Sequence, residues 1–364
     1  MKIQNIIDRL EHLAPVVYQE NYDNSGLIVG DSQAEIKKVI VCLDCIEEVV
    51  DEAIAQKAGL IVAHHPIVFS GLKRLTGKNY IERVVMKAIK HDIAIYAIHT
   101  NLDNVQVGVN QKIAERLGVV NTRILDPKSE SLFKLVTYVP HDYTDKILKA
   151  MFDIGAGHIG NYEECSFKHG GTGTYKANAQ AKPYKGEKDV RHYEPEDRVE
   201  VLIPLHLKSV AVSALKKAHP YEEVAYDIHR LENMNSILGA GMIGELPEPM
   251  FENDFLTHVK EALNTGCIRH TAKLGKKVKT VAFCGGSGSF LLPKAIAGGA
   301  DAFITGDFKY HQFFDADKRI LITDVGHFES EQFTIELLAD YLMEKFPTFA
   351  VLKTKVNTNP VAYF

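Results

Sequence analysis

The chain has 364 residues, 46% of them hydrophobic and 24% charged, with a formal net charge of −5. These proportions are those of globular proteins in water, and the length calls for two or three domains. The mildly acidic balance gives no electrostatic footprint for nucleic acid, and no apolar run approaches the roughly 20 residues of a membrane span.

Ile3, Ile6, Ile7, Leu10 and Leu13 have helical spacing and Pro15 ends the run, so an amphipathic helix is expected there rather than a secretory segment. Five cysteines, an odd and thinly spread set, suit a reducing cytoplasm. Val39 to Leu43 reads as a strand, and Asp44 caps a helix from Ile46 to Gln56 with Glu47 and Glu48 in its first turn. Cys42 and Cys45 form a CxxC at that junction. Without a second pair they read as half-buried thiols at a turn rather than a redox or zinc motif.

Leu60-Ile61-Val62-Ala63 is too short and too β-branched for a helix and reads as a buried strand. It delivers His64-His65-Pro66, and Pro66 stops the sheet ladder. Two imidazoles at a strand's carboxyl end stand where open α/β sheets place ligand sites. A further strand, Ile93 to Ile98, leads into His99-Thr100-Asn101-Leu102-Asp103. Asp103 there serves either as a turn or helix cap before Val105 to Leu117 or as a ligand.

The same unit recurs. Ala53-Ile54-Ala55 and Ala58 return as Ala295-Ile296-Ala297 and Ala300. Strands flank each copy, Val281 to Phe283 and Ala302 to Thr305 in the second, and such units make parallel sheets. In this register His64-His65 matches Gly306-Asp307. A last strand, Ile320 to Thr323, leads through Asp324-Val325-Gly326 to His327. His327 and Glu331 are four apart, which on a helix continuing into Phe333 to Lys345 puts both on one face. Taken alone, this pair also fits a helix start whose acid complements the dipole. The case for chemistry rests on His64, His65, Asp103, His327 and Glu331 together, all near carboxyl ends of strands. His99 lies beside them as a supporting group or general acid. His311 is at helical spacing from Asp307 and either lines the same cleft or lies on a helix surface. Cys284 to Ser289 is a glycine-rich strand-to-helix turn. It fits no dinucleotide or Walker pattern, and its functional alternative is a phosphate cradle.

Between the copies, residues 128–234 read as an inserted domain. Leu132 to Val139, Asp145 to Phe152 and Gly160 to Phe167 give a βαβ order, and Val199 to Leu205, Ser209 to Ala218 and Glu223 to Ile228 repeat it. This predicts a ferredoxin-like sandwich, with Gly170 to Asp197 as a long hairpin or mobile loop. The fold class is therefore α/β: related lobes over 1–127 and 235–364, with an inserted ferredoxin-like α+β domain.

Five stretches together resemble the Nif-three-like proteins, also called GTP cyclohydrolase 1 type 2 homologues. They are Asp23-Asn24-Ser25-Gly26-Leu27, Ile61 to Pro66, His99 to Asp103, Thr305-Gly306-Asp307 with His311, and Gly326-His327 with Glu331. The insert resembles that of the long bacterial branch through His219-Pro220-Tyr221-Glu222-Glu223 and Ala225-Tyr226-Asp227, and is similar to PII-like and CutA-like domains. The resemblance implies a dinuclear metal centre on His64, His65, Asp103, His327 and Glu331, and a toroidal homohexamer in the cytoplasm. Imidazole and carboxylate donors suit Zn foremost and also Fe, Mn or Ni, and Asp103 is the expected bridge. The implied activity is a metal-dependent hydrolase using activated water on a nucleotide or another phosphate-bearing substrate. The alternative is a non-catalytic regulatory or scaffold ring that binds other proteins, with nucleic acid disfavoured by the charge.

Overall fold

The strand Leu60–Ala63 forms with those bounds, and all four of its side chains are buried. It lies between two parallel neighbours, Lys38–Cys42 and Ala94–Ala97, so both of its faces are covered and both are apolar. The computed structural model describes every residue from Met1 to Phe364, in two compact units. One comprises residues 1–127 and 236–364, the other residues 128–235.

The first unit holds the repeat as two sheets. In one, the order is Gly26–Val29, Ala94–Ala97, Leu60–Ala63, Lys38–Cys42, Ala350–Lys353. In the other it is Arg269–His270, Leu321–Asp324, Ala302–Gly306, Lys277–Ser287, Asn235–Phe251, Val120–Lys128. The three repeated strands run parallel in both sheets, and each third strand takes an antiparallel neighbour. Helices Glu47–Gln56 and Leu292–Ala297 occupy corresponding crossovers. Crossovers of this kind leave the carboxyl ends of parallel strands free for a site.

The end strands are exchanged. Ala350–Lys353, from the end of the chain, pairs in parallel with Lys38–Cys42. Val120–Lys128, which follows the first repeat, joins the second sheet beside Asn235–Phe251.

In residues 128–235 the strands Leu132–Pro140, Ser166–Lys176, Arg191–Pro204 and Tyr226–Leu231 form one antiparallel sheet. Helices Thr144–Phe152 and Lys208–Ala218 pack on a core that includes Leu135, Ile147, Val201 and Leu215. The βαββαβ order is that of a ferredoxin-like sandwich. The strand expected from Gly160 begins only at Ser166 and runs on through Gly170 to Lys176. Ser166–Lys176 is an edge strand with nearly every side chain in water, so no alternating pattern marks it. No helix of the chain is long and apolar enough to cross a membrane.

Candidate metal centre

Backbone pairing continues beyond Ala63. His64 N–H donates to Cys42 O at 3.2 Å and His65 N–H to Leu43 O at 3.0 Å. The two imidazoles are thereby held with ring centroids 4.9 Å apart. From the next strand, the short helix Thr100–Asn104 carries Asp103, and His99 sits at its start. From the second lobe, Gly326 has φ +96°, open to glycine, and starts the helix His327–Glu331. This helix places His327 Nε2 3.1 Å from Glu331 Oε2, the i, i+4 pairing expected. It ends there, and Thr334–Lys345 is a separate helix.

Four histidines are oriented alike. Each uses Nδ1 for an acceptor outside the cluster: His64 for Ile98 O (2.8 Å), His65 for Asp44 Oδ1 (2.7 Å), His99 for Asp23 Oδ1 (2.8 Å) and His327 for Asp307 Oδ2 (2.7 Å). Carbonyls and carboxylates only accept, so these Nδ1 atoms carry the proton. Nε2 is left as the donor atom of each ring, and this is how proteins orient metal-binding histidines. Three overlapping triads each bring their donor atoms within 4.8 Å of one another: His65, His327 and Glu331; His64, Asp103 and Glu331; and His64, His65 and His99. Each could hold a metal ion.

Glu331 joins two of these groups. Its Oε1 lies 3.8 Å from His64 Nε2, and its Oε2 lies 3.0 Å from His65 Nε2. Asp103, the expected bridge, belongs to one of these groups, and Glu331 to both. The longer Glu side chain reaches both because Gly286 lies against it. A Cβ at Gly286, whose φ is +61°, would stand 2.3 Å from Glu331 Oε1.

The polar balance fits a cation. His64 Nε2 and Asp103 Oδ1 are buried without a hydrogen-bond partner and face each other at 3.6 Å. Leaving such atoms unpaired is costly, and a metal ion between them removes the deficit. His65 and His327 both point Nε2 at Glu331 Oε2, with the two nitrogens 3.3 Å apart. Against the effect of burial, Asp44 and Glu331 push His65 up to about 10. The Glu331 charge pushes His327 up to about 11. Burial and then Glu331 raise the Asp103 carboxyl well above the usual range. Glu331 itself, although buried, is held well below it, chiefly by His327. Without metal, protons supply the positive charge that this cluster attracts.

His65, His99 and His327 face a cavity of about 740 Å³ that Arg269 and Tyr363 also line. Arg269 is anchored by Asp324 and by Phe308 O and remains more than half exposed. Asn359 closes part of the wall by donating to Glu329 Oε1 at 3.0 Å.

Other sequence expectations change. Asp44 does not cap the helix Glu47–Gln56; its oxygens accept from His65 and from Thr358. Cys42 and Cys45 are buried free thiols, with burial pushing Cys45 up to about 12, which fits structural rather than redox cysteines. The turn at Cys284–Ser289 is no phosphate cradle. Its Gly285, Gly286 and Gly288 N–H groups donate to Asn110, Ser330 and Thr305. His311 lies outside the cavity, stacked on Phe314. Unforeseen were Asp23, Asp44 and Asp307 as imidazole partners. Asp307 had a signal, since it matches His65 in the repeat register.

Two related sheets, each with three parallel strands at its centre and an imidazole–carboxylate cluster at their carboxyl ends, define an α/β protein with side chains that could hold a metal ion. The chain belongs to the Duf34/NIF3 (NGG1p interacting factor 3) family, whose model matches residues 1–360. It is 38% identical to the GTP cyclohydrolase 1 type 2 homolog of Halalkalibacterium halodurans, covering 100% of both chains. It is 37% identical to that of Bacillus subtilis, over 99% of this chain and 98% of the relative. The crystal structure of a Bacillus cereus protein related to NIF3 superposes with a TM-score of 0.86 at 37% identity, covering 100% of this chain and 99% of that one.

Proposed function

We propose that the chain is a dinuclear metal-dependent hydrolase. One divalent ion is assigned to His65, His327 and Glu331, the other to His64, Asp103 and Glu331. The observation that carries this reading is the convergence of Nε2 atoms whose Nδ1 partners all lie outside the cluster. Imidazole and carboxylate donors suit Zn, Fe, Mn or Ni, and Zn is the ion tested first. When bound, divalent ions supply Lewis acidity and lower the pKa of water at the site.

The chain's own groups do the rest. Glu331 spans the two donor sets and fixes their spacing. His99, its Nδ1 tied to Asp23, lines the cavity beside His64 and His65 and is assigned the role of proton carrier. Arg269 offers a guanidinium on the cavity wall to an anionic oxygen. A nucleotide or another phosphate-bearing substrate fits this combination, and the relatives' name directs the first test to GTP. Zinc-loaded protein is incubated with GTP and a phosphoester panel while formate and phosphate are followed. Release that disappears in Asp103→Ala and His327→Ala supports hydrolysis; no release from any substrate overturns it.

A regulatory or scaffold ring is the second reading. It is favoured by Phe251, Phe290, Tyr310 and Phe314, each more than 60% exposed on the metal-site unit. Covering them in a homohexamer accounts for that surface. Light scattering reads the assembly, and a ring that falls apart without metal while no substrate turns over favours this role.

A further inference from the structure

The inserted unit contains a cavity of about 650 Å³, within the range of small-molecule sites. Its walls include Tyr138, Tyr175, Tyr184 and Tyr221, with Glu196 and Arg198. Tyr175 and Tyr184 each stand with ring centroids 6.1 Å from Tyr221, at interplanar angles of 66° and 46°. The rings thus form angled walls rather than a stack. Tyr221 is fixed from behind. Its N–H donates to His219 Nδ1 at 3.1 Å, and His219 Nε2 donates to Tyr138 O at 3.0 Å.

Glu196 is the informative residue. It is 8% exposed, in the acidic run Glu194-Pro195-Glu196-Asp197. Glu194 is neutralised by Lys185 at 2.5 Å and His192 at 3.0 Å, and Asp197 pairs with His141 at 3.0 Å. Arg198 pairs with Glu200 at 3.0 Å. Glu196 has no cation. Its Oε1 accepts from Tyr221 Oη at 2.8 Å, and its Oε2 lies beside Gly173, where a Cβ would come within 1.9 Å. Gly173 therefore leaves room for the second carboxylate oxygen, which accepts no hydrogen bond from the protein and opens on the cavity. An acid at a cavity wall with no basic side chain paired to it is free to take a cation from solution. Phenol faces attract cations, and aromatic boxes with an acid at one wall are how proteins hold organic ammonium and guanidinium groups.

We propose that this cavity is a binding site for a small organic cation, an alkylammonium or alkylguanidinium, whose charge lies over the tyrosine faces and donates to Glu196 Oε2. The site is separate from the metal cluster and does not depend on its chemistry.

The test is calorimetric titration of the full chain with agmatine and with propylammonium, with inorganic phosphate as the anionic control. Agmatine is expected to bind, and Glu196→Gln, which keeps an acceptor for Tyr221, to weaken it by at least about tenfold. Tyr184→Ala, at a half-exposed position, is expected to weaken both cations and serves if the buried variant fails to fold. The proposal is overturned if neither cation binds the unaltered chain at about 10 mM, a level that would still register a Kd in the millimolar range. Phosphate binding in their place, or cation affinity unchanged in the variants, overturns it equally.

Discussion

The Nε2 atoms of His65 and His327 lie 3.3 Å apart, although the residues stand 262 positions apart in the chain. One is presented by the first copy of the repeat and the other by the second. Both address the same oxygen of Glu331. Duplication thus places two complementary half-sites face to face, and both donor groups that include Glu331 draw residues from both copies.

This arrangement predicts how metal-free protein responds to pH. His65 and His327 have folded pKa values near 10 and 11, raised above an ordinary imidazole. Their contribution to stability is fully present below the unfolded value of about 6.5 and is lost as pH rises through the folded values. Asp103, whose carboxyl is raised, acts in the same direction from a lower starting pH. Chelator-treated protein should therefore lose melting temperature steadily from neutral pH to about pH 10. Zinc-loaded protein should not, because metal replaces those protons. Parallel slopes for the two forms would contradict this.

Asp103→Asn should separate stability from binding. Asp103 Oδ1 is buried without a hydrogen-bond partner, and burial and then Glu331 raise the carboxyl. Replacing an acid whose ionised form this site disfavours should raise the melting temperature of metal-free protein at pH 7, as expected where a strained site is kept for function. The same change should abolish most of the rise that zinc produces. Thermal scans with and without metal read both effects.

The carboxylates behind the imidazoles should matter almost as much as the ligands. Asp44→Asn and Asp307→Asn each weaken the hold on a ring that faces Glu331. Loss of such support costs roughly 10–100-fold in metal affinity. Competition with a chromophoric chelator measures it, and unchanged affinity would remove these residues from the centre.

Gly286→Ala tests the spacing of the shared carboxylate. The substitution puts a methyl group against Glu331 Oε1 at a residue with φ +61°. Backbone strain alone should cost about 1 kcal/mol. Metal content should fall well beyond what that loss implies, because Glu331 must move. Normal metal occupancy in a folded variant would show that Glu331 does not need this position.

Much of the centre was legible in local sequence. Leu60–Ala63 is apolar on both faces because it is a central parallel strand, and such strands announce their own ends. His327 and Glu331 were readable because helical spacing is a local property. The imidazole partners were not, since Asp23 meets His99 and Asp44 meets His65 only after distant segments fold together. Asp44 had the appearance of a cap because caps and ligand supports use the same residue type at the same strand-to-helix junction. The exchange of Ala350–Lys353 and Val120–Lys128 between sheets was equally hidden, because strand pairing is non-local. Ser166–Lys176 escaped for the opposite reason: a solvated edge strand has no buried face to impose a pattern.

The most direct measurement is diffraction at metal absorption edges from crystals of protein never exposed to chelators. The account predicts two anomalous peaks per chain, one within about 2.0–2.2 Å of donor atoms from His65, His327 and Glu331, the other within that range of His64, Asp103 and Glu331. No anomalous density, with these side chains turned away from one another, would contradict it.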